Sequence, residues 1–254
     1  MTGSAPLGSQ DLHCHTTWSD GLLPLDAVVA AGDRLGVRMG IADHVSTTNP
    51  DRFLATPDAV GAYLDALDAA PVMRAGEFCW CDRLWRDLPD ELMQRFDYRI
   101  GSNHAFWLPD EGMGSPWWEV LPAPWDSRPH ALMDIMVANI CDMVRTMPVH
   151  IAAHSTLTPP ALFDLEDDVE AWWTPEREDR YVDALAASGV ALEISNRYRL
   201  PHDRLLGKAL QAGVRFSLGS DGHTAGQVAR LDWAVATATR IGIAERHMFV
   251  PQRA

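Results

Sequence analysis

Seven short runs of apolar residues recur along the chain, and stretches with a helical spacing of apolar positions separate most of them. Runs of four to six such residues between turn-forming residues are typical of buried strands. They cover residues 10–13, 37–42, 72–77, 97–101, 149–153, 190–194 and 214–219. Alternation of strands and helices along the whole chain predicts parallel strands joined by crossover helices, and therefore an α/β fold.

Capping residues support the helices between these runs. Leu25 to Leu35 has apolar positions at helical spacing, and Gly36 follows as a C-cap glycine. Thr56 and Pro57 are typical of an N-cap and a first helical position. The other helical signals are the face Val60, Tyr63, Leu64 and Leu67, the stripe Leu132, Ile135, Met136, Ile140, Met143 and Val144, and the spans 175–188, 202–212 and 224–240. Since no repeat or linker interrupts the pattern, we expect one domain over residues 1–254.

One segment breaks the alternation of strands and helices. Residues 105–129 form an insertion with five prolines, two glycines and four of the ten tryptophans. Such a long loop in a compact domain is usually functional or disordered. Two interpretations remain open: a packed surface loop whose tryptophans cover the edge of the fold, or a lid or substrate wall beside an active site.

Composition and charge narrow the class of protein. With 47% hydrophobic residues among 254, the chain can bury a substantial core, which excludes intrinsic disorder. It has no apolar run of about 20 residues that could cross a membrane, and its first ten residues lack the features of a signal peptide. A formal net charge of −14 argues against binding to duplex nucleic acid. We therefore expect a cytoplasmic globular protein, with its four cysteines reduced.

Residue types that bind metals stand at or just after the ends of the predicted strands. His13 and His15 are two residues apart, so on an extended segment they face the same way and can bind one cation. In a β/α barrel the strand ends converge on one face, where active sites lie. The candidate ligands are His13, His15, Asp20, His44, Glu77, His104, His154, Asp221 and His223. The other four histidines, His130, His150, His202 and His247, have no such placement, and we interpret them as structural or surface residues.

These segments together resemble the polymerase and histidinol phosphatase (PHP) family of metal-dependent phosphoesterases. The matching strings are DLHCHTTWSDG (11–21), ADH (42–44), GEF (76–78), GSNH (101–104), AH (153–154) and SDGH (220–223). Each string alone is a weak signal, but all of them occur in the family's order between residues 11 and 223. The resemblance implies a distorted TIM-like barrel of seven βα units, with the active site at the carboxyl ends of the strands.

The resemblance also implies a centre with two or three divalent metal ions. His13, His15, Glu77 and Asp221 would hold the first ion. Glu77, His104 and His154 would hold the second, with Glu77 as the bridge between the two. Asp20, His44 and His223 would hold the third. Aspartate at position 20, where some members of the family have histidine, favours manganese or iron beside zinc without identifying the metal.

The implied reaction is hydrolysis of a phosphate ester. Adjacent divalent ions neutralise the phosphoryl oxygens and lower the pKa of a bound water, so a hydroxide bridging the metals would attack phosphorus. Glu77, Asp221 and Arg197 would be the catalytic residues. The family usually adds cationic side chains for the phosphate, and Arg197 and Arg199 follow a strand end that lacks a metal ligand. We therefore predict Arg197 as the substrate-binding clamp, with Arg199 in reserve and a surface ion pair as the alternative.

Several functions remain open at this stage. The preferred one is a phosphomonoesterase acting on a small phosphorylated metabolite, with histidinol phosphate as a precedent in the family. Its first rival is a phosphodiesterase or nuclease acting on short or cyclic nucleotides. Other rivals are a non-catalytic module and a metallohydrolase of the amidohydrolase type. Many binuclear amidohydrolases need a carboxylated lysine, and the single lysine here, Lys208, falls in a predicted helix. The sequence leaves the substrate, the general acid and the oligomeric state undetermined.

Overall fold

A computed structural model describes residues 6–109 and 112–252. The strands are β1 (Gln10–Cys14), β2 (Arg38–Ile41), β3 (His44–Val45), β4 (Met73–Arg74), β5 (Glu77–Cys79), β6 (Ile100–Ser102), β7 (Phe106–Leu108), β8 (Gly112–Gly114), β9 (Ile151–Ala153), β10 (Ala191–Ser195) and β11 (Phe216–Gly219). The helices are α1 (Leu25–Leu35), α2 (Pro57–Asp68), α3 (Leu84–Asp87), α4 (Asp90–Met93), α5 (Pro129–Thr146), α6 (Pro160–Phe163), α7 (Val169–Trp172), α8 (Pro175–Ser188), α9 (Asp203–Gln211) and α10 (Asp232–Ile241).

Parallel sheets form the centre of the fold. One has the strand order β1-β2-β4 and the other the order β11-β10-β9-β6-β5-β3, and every pair of neighbours within them is parallel. Along the chain, at least one helix separates the two strands of each parallel pair, as parallel pairing requires. The predicted α/β class with parallel strands is therefore confirmed.

Backbone hydrogen bonds connect the two parallel sheets at both sides. Beyond the ends of β1 and β11, His15 N donates to Gly222 O and Asp221 N donates to His13 O. Between β2–β3 and β4–β5, Glu77 N donates to Asp43 O at 3.0 Å. The carboxyl end of β1 is thereby held beside that of β11, and the start of β5 is held beside the segment between β2 and β3.

One of the predicted strands is interrupted. The run 72–77 predicts a single strand, but β4 ends at Arg74 and β5 begins only at Glu77, in the other sheet. The run 37–42 matches β2, and β3 follows it in the other sheet after a break at residues 42–43. The side chain of Tyr63 lies at this interruption. Its hydroxyl accepts a hydrogen bond from Asp43 N at 3.2 Å and lies 2.8 Å from Ala75 O. A hydroxyl from α2 thus takes the place of a direct bond between the two strands.

The helix signals are accurate where caps are strong. α1 ends at Gly36, whose φ of 68° is the left-handed conformation that glycine adopts without strain. α2 begins at Pro57, and the Thr56 side chain accepts a hydrogen bond from Ala59 N. The predicted helix 224–240 is wrong at its start, because α10 begins only at Asp232. The Gln227 side chain accepts hydrogen bonds from His223 N, Thr224 N and Thr224 Oγ1, which stabilises a turn instead.

The insertion is largely packed against the rest of the protein. β7 and β8 form an antiparallel pair within it, although residues 110 and 111 lie outside the described part of the chain. The Asn139 side chain on α5 accepts a hydrogen bond from Trp107 N and donates one to Trp107 O. The insertion's buried apolar side chains are Phe106, Leu108, Leu121 and Trp125. The packed-loop interpretation therefore describes most of this segment.

The described helices include none long and apolar enough to cross a membrane. All four cysteines are buried and carry free thiols.

The sequence patterns did not predict four short helices of four residues each, α3, α4, α6 and α7. Single-turn helices have too few apolar positions to show a helical period, so the sequence pattern could not indicate them.

His150 makes the stability of this fold dependent on pH. Its Nδ1 atom accepts a hydrogen bond from Arg99 N. Burial, together with the positive charges of Arg99 and Arg215, lowers the pKa of His150 from 6.5 to about 4. In the unfolded chain His150 becomes protonated below about pH 6.5, whereas in the folded protein it becomes protonated only near pH 4. The free energy of unfolding therefore decreases as the pH falls from about 6.5 to about 4.

Replacing His150 with asparagine should reduce this loss, because an amide oxygen can accept the hydrogen bond without titrating. We expect the wild type to lose about 1–2 kcal/mol more than the variant between pH 7.5 and pH 5, after allowance for partial exposure. Urea unfolding at both pH values measures the difference. An equal loss in both proteins would show that His150 does not couple to folding.

Candidate metal centre

The nine predicted ligand side chains lie together at one edge of the parallel sheets, beyond the carboxyl ends of β1, β2, β4, β6, β9 and β11. His13 lies on β1, His44 on β3 and Glu77 on β5. The other six follow strand ends: His15 and Asp20 after β1, His104 after β6, His154 after β9, and Asp221 and His223 after β11. Since parallel strands end at a common edge, residues far apart in the sequence meet there.

Glu77 occupies the middle of the cluster and is 1% exposed. Its two carboxylate oxygens face five histidine rings. The distances are 3.2 Å from Oε1 to His104 Nε2, 3.0 Å from Oε1 to His154 Nε2, 2.8 Å from Oε2 to His44 Nδ1, and 3.6 Å from Oε2 to both His13 Nε2 and His15 Nε2. The Glu77 carboxylate therefore contacts histidines that the family resemblance assigns to three different metal ions.

Two further carboxylates complete the cluster. Asp20 Oδ1 lies 3.4 Å from His44 Nε2 and 3.2 Å from His223 Nε2. Asp221 Oδ1 lies 3.3 Å from both His15 Nε2 and His223 Nδ1. Because a neutral imidazole and a carboxylate are both competent metal ligands, this pairing suits a cation as well as a proton.

Within the described residues, three groups of side chains could each hold a metal ion. They are His15, Asp20, His44 and His223; His13, His15 and Glu77; and His44, Glu77 and His104, with ligand atoms within 4.8 Å of one another in each group. The first contains the whole set implied for the third ion, and the second contains three of the four residues implied for the first ion.

The groups depart from the implied sets at two residues. Asp221 falls outside them, although its carboxylate contacts His15 and His223 of the first group and also Arg197. His154 is also outside, although its Nε2 contacts Glu77 Oε1. His44 stands in its place beside Glu77 and His104. The assignment of individual ligands to individual ions therefore stays a prediction.

The backbone is strained at two of the candidate ligands. His154 has a φ of 31° and Asp221 a φ of 48°, in the left-handed region that residues with a side chain rarely adopt. Each is held by a hydrogen bond from its own amide, His154 N to Glu193 Oε2 and Asp221 N to His13 O. Strain of this kind concentrates at functional sites, where the surrounding structure enforces it.

Neighbouring charges and burial shift the pKa values of the side chains in the cluster. Burial alone would raise the pKa of Glu77, but His104, His44 and His13 outweigh it and hold this pKa well below its usual range. Burial likewise opposes protonation of His13, yet Glu193 and Glu77 raise the pKa of His13 well above its usual value. By contrast, burial and the nearby His44 lower the pKa of His15 to about 3. The cluster thus binds positive charge strongly, with uncharged imidazole available at His15.

The donor set fits divalent transition metals. Glu77 Oε2 is buried and has no hydrogen bond of acceptable geometry, although three histidine nitrogens surround it. His15 Nδ1 is also buried and without a hydrogen bond. Such atoms are costly unless something binds them, and a cation among imidazoles and carboxylates would do so. Nitrogen and oxygen ligands of this kind suit zinc, manganese and iron.

Two buried carboxylates without an assigned role in the sequence predictions form hydrogen bonds to candidate ligands or their neighbours. Glu193 Oε1 lies 2.6 Å from His13 Nδ1, and its Oε2 accepts the bond from His154 N. Asp11 Oδ1 accepts hydrogen bonds from His13 N and Ser220 N, and burial raises the pKa of Asp11 to about 6. A side chain at Gly219 would overlap Glu193, so glycine leaves room for this carboxylate.

A third buried carboxylate positions the loop that carries Asp20. Asp43 accepts hydrogen bonds from Thr16 N, Thr16 Oγ1 and Ser19 Oγ, at 2.6–2.8 Å. Burial raises the pKa of Asp43 to about 6. Asp11, Asp43 and Glu193 share one feature that the sequence shows: each is an acidic residue in or beside an apolar strand. Burial of such a carboxylate is unfavourable unless it accepts hydrogen bonds, and this could have indicated a supporting role.

A cavity of about 260 Å³ opens onto the cluster. Its lining beyond the candidate ligands is Thr48, Phe53, Trp117, Arg197 and Tyr198. Arg197 Nη1 lies 2.7 Å from His223 Nδ1 and 3.3 Å from Asp221 Oδ1, which brings its guanidinium to the edge of the cluster. Arg199 is exposed and does not line this cavity. Trp117 comes from the insertion, so part of that segment does form a wall of the cavity.

The four remaining histidines lie outside the cluster, as expected. His202 Nε2 contacts Glu178, His150 accepts from Arg99 N, and His247 Nδ1 accepts from Ala244 N. The ring of His130 packs against Trp172.

The fold is similar to that of a solved enzyme. No protein-family model and no curated protein sequence matches this chain. Among solved structures, it resembles the histidinol phosphate phosphatase from Lactococcus lactis subsp. lactis Il1403, crystallised with zinc, L-histidinol and phosphate. The TM-score is 0.66 at 18% sequence identity, and the match covers 95% of each chain. At this identity the likeness establishes a shared fold.

Proposed function

We propose that this protein is a metal-dependent phosphoesterase that hydrolyses a small phosphorylated metabolite as a phosphomonoesterase. The observation that carries the proposal is the convergence of six histidines, Asp20 and Asp221 around Glu77 at the base of one cavity, with Arg197 at its edge. The solved structure of similar fold is a histidinol phosphate phosphatase that contains zinc and phosphate, which supports the same chemistry here.

We also propose that the two parallel sheets form a single distorted barrel of seven βα units over one domain. The hydrogen bonds that join β1 to the segment after β11, and those between β2–β3 and β4–β5, support a closed arrangement. A barrel would explain why ligands on or after six different strands reach one point.

The residues that would hold two or three divalent ions are the nine of the cluster. We propose His13, His15, Glu77 and Asp221 for the first ion, Glu77, His104 and His154 for the second, and Asp20, His44 and His223 for the third. When bound, zinc, manganese or iron would neutralise charge on the phosphoryl oxygens and activate a water as the nucleophile. Glu77 would orient neighbouring ligands through both of its oxygens.

Side chains beside the ligands would bind the substrate and fix the ligand geometry. The Arg197 guanidinium would donate hydrogen bonds to two phosphoryl oxygens, a geometry that suits arginine better than lysine. Glu193 would accept the Nδ1 proton of His13, which fixes the tautomer with Nε2 free toward the cluster. Asp221 would link both functions, since it contacts His15 and Arg197.

Three observations favour this function over its rivals. The cavity of about 260 Å³ suits a small ester better than a polynucleotide, and the net charge of −14 opposes a large polyanion. Lys208, on α9, pairs with Asp179 at 2.6 Å and with Glu178, so it is not available as a carboxylated lysine bridge. These points weaken the nuclease and the binuclear amidohydrolase interpretations respectively.

Metal analysis and an ester screen test the proposal together. We expect two to three transition-metal ions per purified chain, and hydrolysis of phosphate monoesters that a chelator abolishes and manganese, zinc or ferrous iron restores. One ion or none per chain would refute the multinuclear centre. Faster cleavage of bis(4-nitrophenyl) phosphate than of 4-nitrophenyl phosphate would favour the diesterase instead, and hydrolysis of neither would refute both.

A further inference from the structure

A continuous series of aromatic rings leads outward from the metal cluster along one side of the cavity. The Tyr198 ring meets the His154 ring edge-on, with centroids 5.4 Å apart. The indole of Trp117 lies next, 5.5 Å from the Tyr198 ring and tilted by 43°. Because this surface begins directly beside a candidate ligand, it adjoins the place where a phosphate would bind.

Trp117 is unusual among the aromatic residues of the insertion, because it faces the cavity instead of the core. It is 42% exposed, whereas Phe106 and Trp125 of the same segment are buried. Its chain neighbours are anchored: Trp118 O accepts a hydrogen bond from Ala161 N at 3.0 Å, and the Trp118 ring packs edge-on against Phe106. An indole held open to a cavity in this way offers a flat apolar face to whatever enters.

The charges around the cavity restrict what this face can bind. The carboxylates that line it, among the described residues, are Asp20, Glu77 and Asp221, and all three are paired with histidines of the cluster. Among the described residues that line the cavity, no carboxylate is left unpaired to bind an aliphatic ammonium group. The Arg197 guanidinium lies over the other ring of the series, 5.2 Å from the centroid of Tyr198, which adds positive charge on the phosphate side.

We propose that Trp117 is a specificity-determining residue and that the leaving alcohol carries a planar ring, joined to the phosphate by a short link, which stacks on Trp117 and Tyr198. The proposal rests on the proposed phosphomonoesterase function and adds the class of leaving group. In the reaction, water adds its oxygen to phosphorus, the P–O bond to the alcohol breaks, and the ring-bearing alcohol leaves with a proton beside inorganic phosphate. Stacking holds the ring, so its contribution falls on substrate binding.

The test compares benzyl phosphate with butyl phosphate and phosphoethanolamine in the metal-loaded protein. Trp117→Ala should lower kcat/KM for benzyl phosphate about three- to tenfold, mainly through KM, because an aromatic pair contributes that much to affinity. The values for butyl phosphate and phosphoethanolamine should stay within about twofold of the wild type. Trp117→Phe should keep most of the activity on benzyl phosphate, since it keeps a ring. Trp107→Ala is the matched control, because Trp107 is an exposed tryptophan of the same insertion that does not line the cavity.

A binding measurement separates this inference from the proposed function. Calorimetry with benzylphosphonate and butylphosphonate, which cannot be hydrolysed, should show tighter binding of the ring compound in the wild type and a smaller preference for it in Trp117→Ala, where Tyr198 alone remains to stack on the ring. Equal affinities in the wild type, or the same loss for all three esters in Trp117→Ala, would overturn ring recognition while leaving the phosphatase intact. If the wild type hydrolyses none of the esters, the proposed function fails, and the phosphonate affinities alone then decide whether a ring is recognised.

Discussion

Replacing Glu77 with alanine is expected to abolish phosphatase activity and to remove at least one metal ion per chain. The buried carboxylate of Glu77 contacts five histidines of the cluster. Its loss would leave the rings without a common negative partner, which weakens every ion that shares them. We expect a fall in kcat of at least about 10³-fold, on the scale of losing a central electrostatic group.

Metal analysis and steady-state kinetics on the same preparation check this result. Glu77→Gln is the informative companion, because it keeps the volume of the side chain and one acceptor oxygen while removing the charge. Glu91→Ala, at an exposed position on α4, is the matched control and should retain metal and activity. A Glu77→Ala protein that is folded and fully metal-loaded would contradict the central position assigned to this carboxylate.

The second large effect is expected at Arg197. Arg197→Ala should lower kcat/KM for a phosphate monoester about 10²-fold, because the variant would lose the proposed charge-assisted bidentate contact to the phosphoryl group. Metal content should be unchanged, which distinguishes a substrate clamp from a ligand. Arg197→Lys should recover only part of the activity, since an ammonium group cannot reproduce the planar pair of donors.

Two further variants make the Arg197 result decisive. Arg230→Ala removes an exposed arginine outside the cavity and should behave as the wild type does. If Arg199→Ala lowers kcat/KM more than Arg197→Ala does, Arg199 binds the phosphate instead of Arg197. Unchanged kinetics in Arg197→Ala would mean that its contacts with Asp221 and His223 form only an ion pair at the rim.

The parts of the fold that the sequence predicts are those determined locally. Gly36 ends α1 because only its immediate neighbours decide that a left-handed residue is needed there. Thr56 and Pro57 likewise start α2 through a cap within three residues. The error at 224–231 has the opposite cause, since the hydrogen bonds of the Gln227 side chain compete with helix formation. The interruption at Asp43 depends on Tyr63, which no pattern along the strand itself could indicate.

In the candidate site, too, the sequence indicates features that local residues determine and misses those that depend on distant residues. The histidines and Glu77 are visible in the sequence because strand ends carry them at recurrent places. Glu193 was not identified, since its partners His13 and His154 lie 180 and 39 residues away, and only the folded chain brings them together. Trp117 could be noted as part of an unusual insertion, but which of its tryptophans faces the cavity depends on how β7 and β8 pack against α5.

The anchoring of the insertion has a thermodynamic consequence for binding. Asn139 fixes Trp107 through both backbone groups, and Ala161 fixes Trp118, so the segment that carries Trp117 is ordered before any substrate arrives. A flexible loop would lose conformational entropy on closing over a ligand, and that loss would weaken the complex. Here the ordering accompanies folding of the chain, and a substrate ring would meet a preorganised surface.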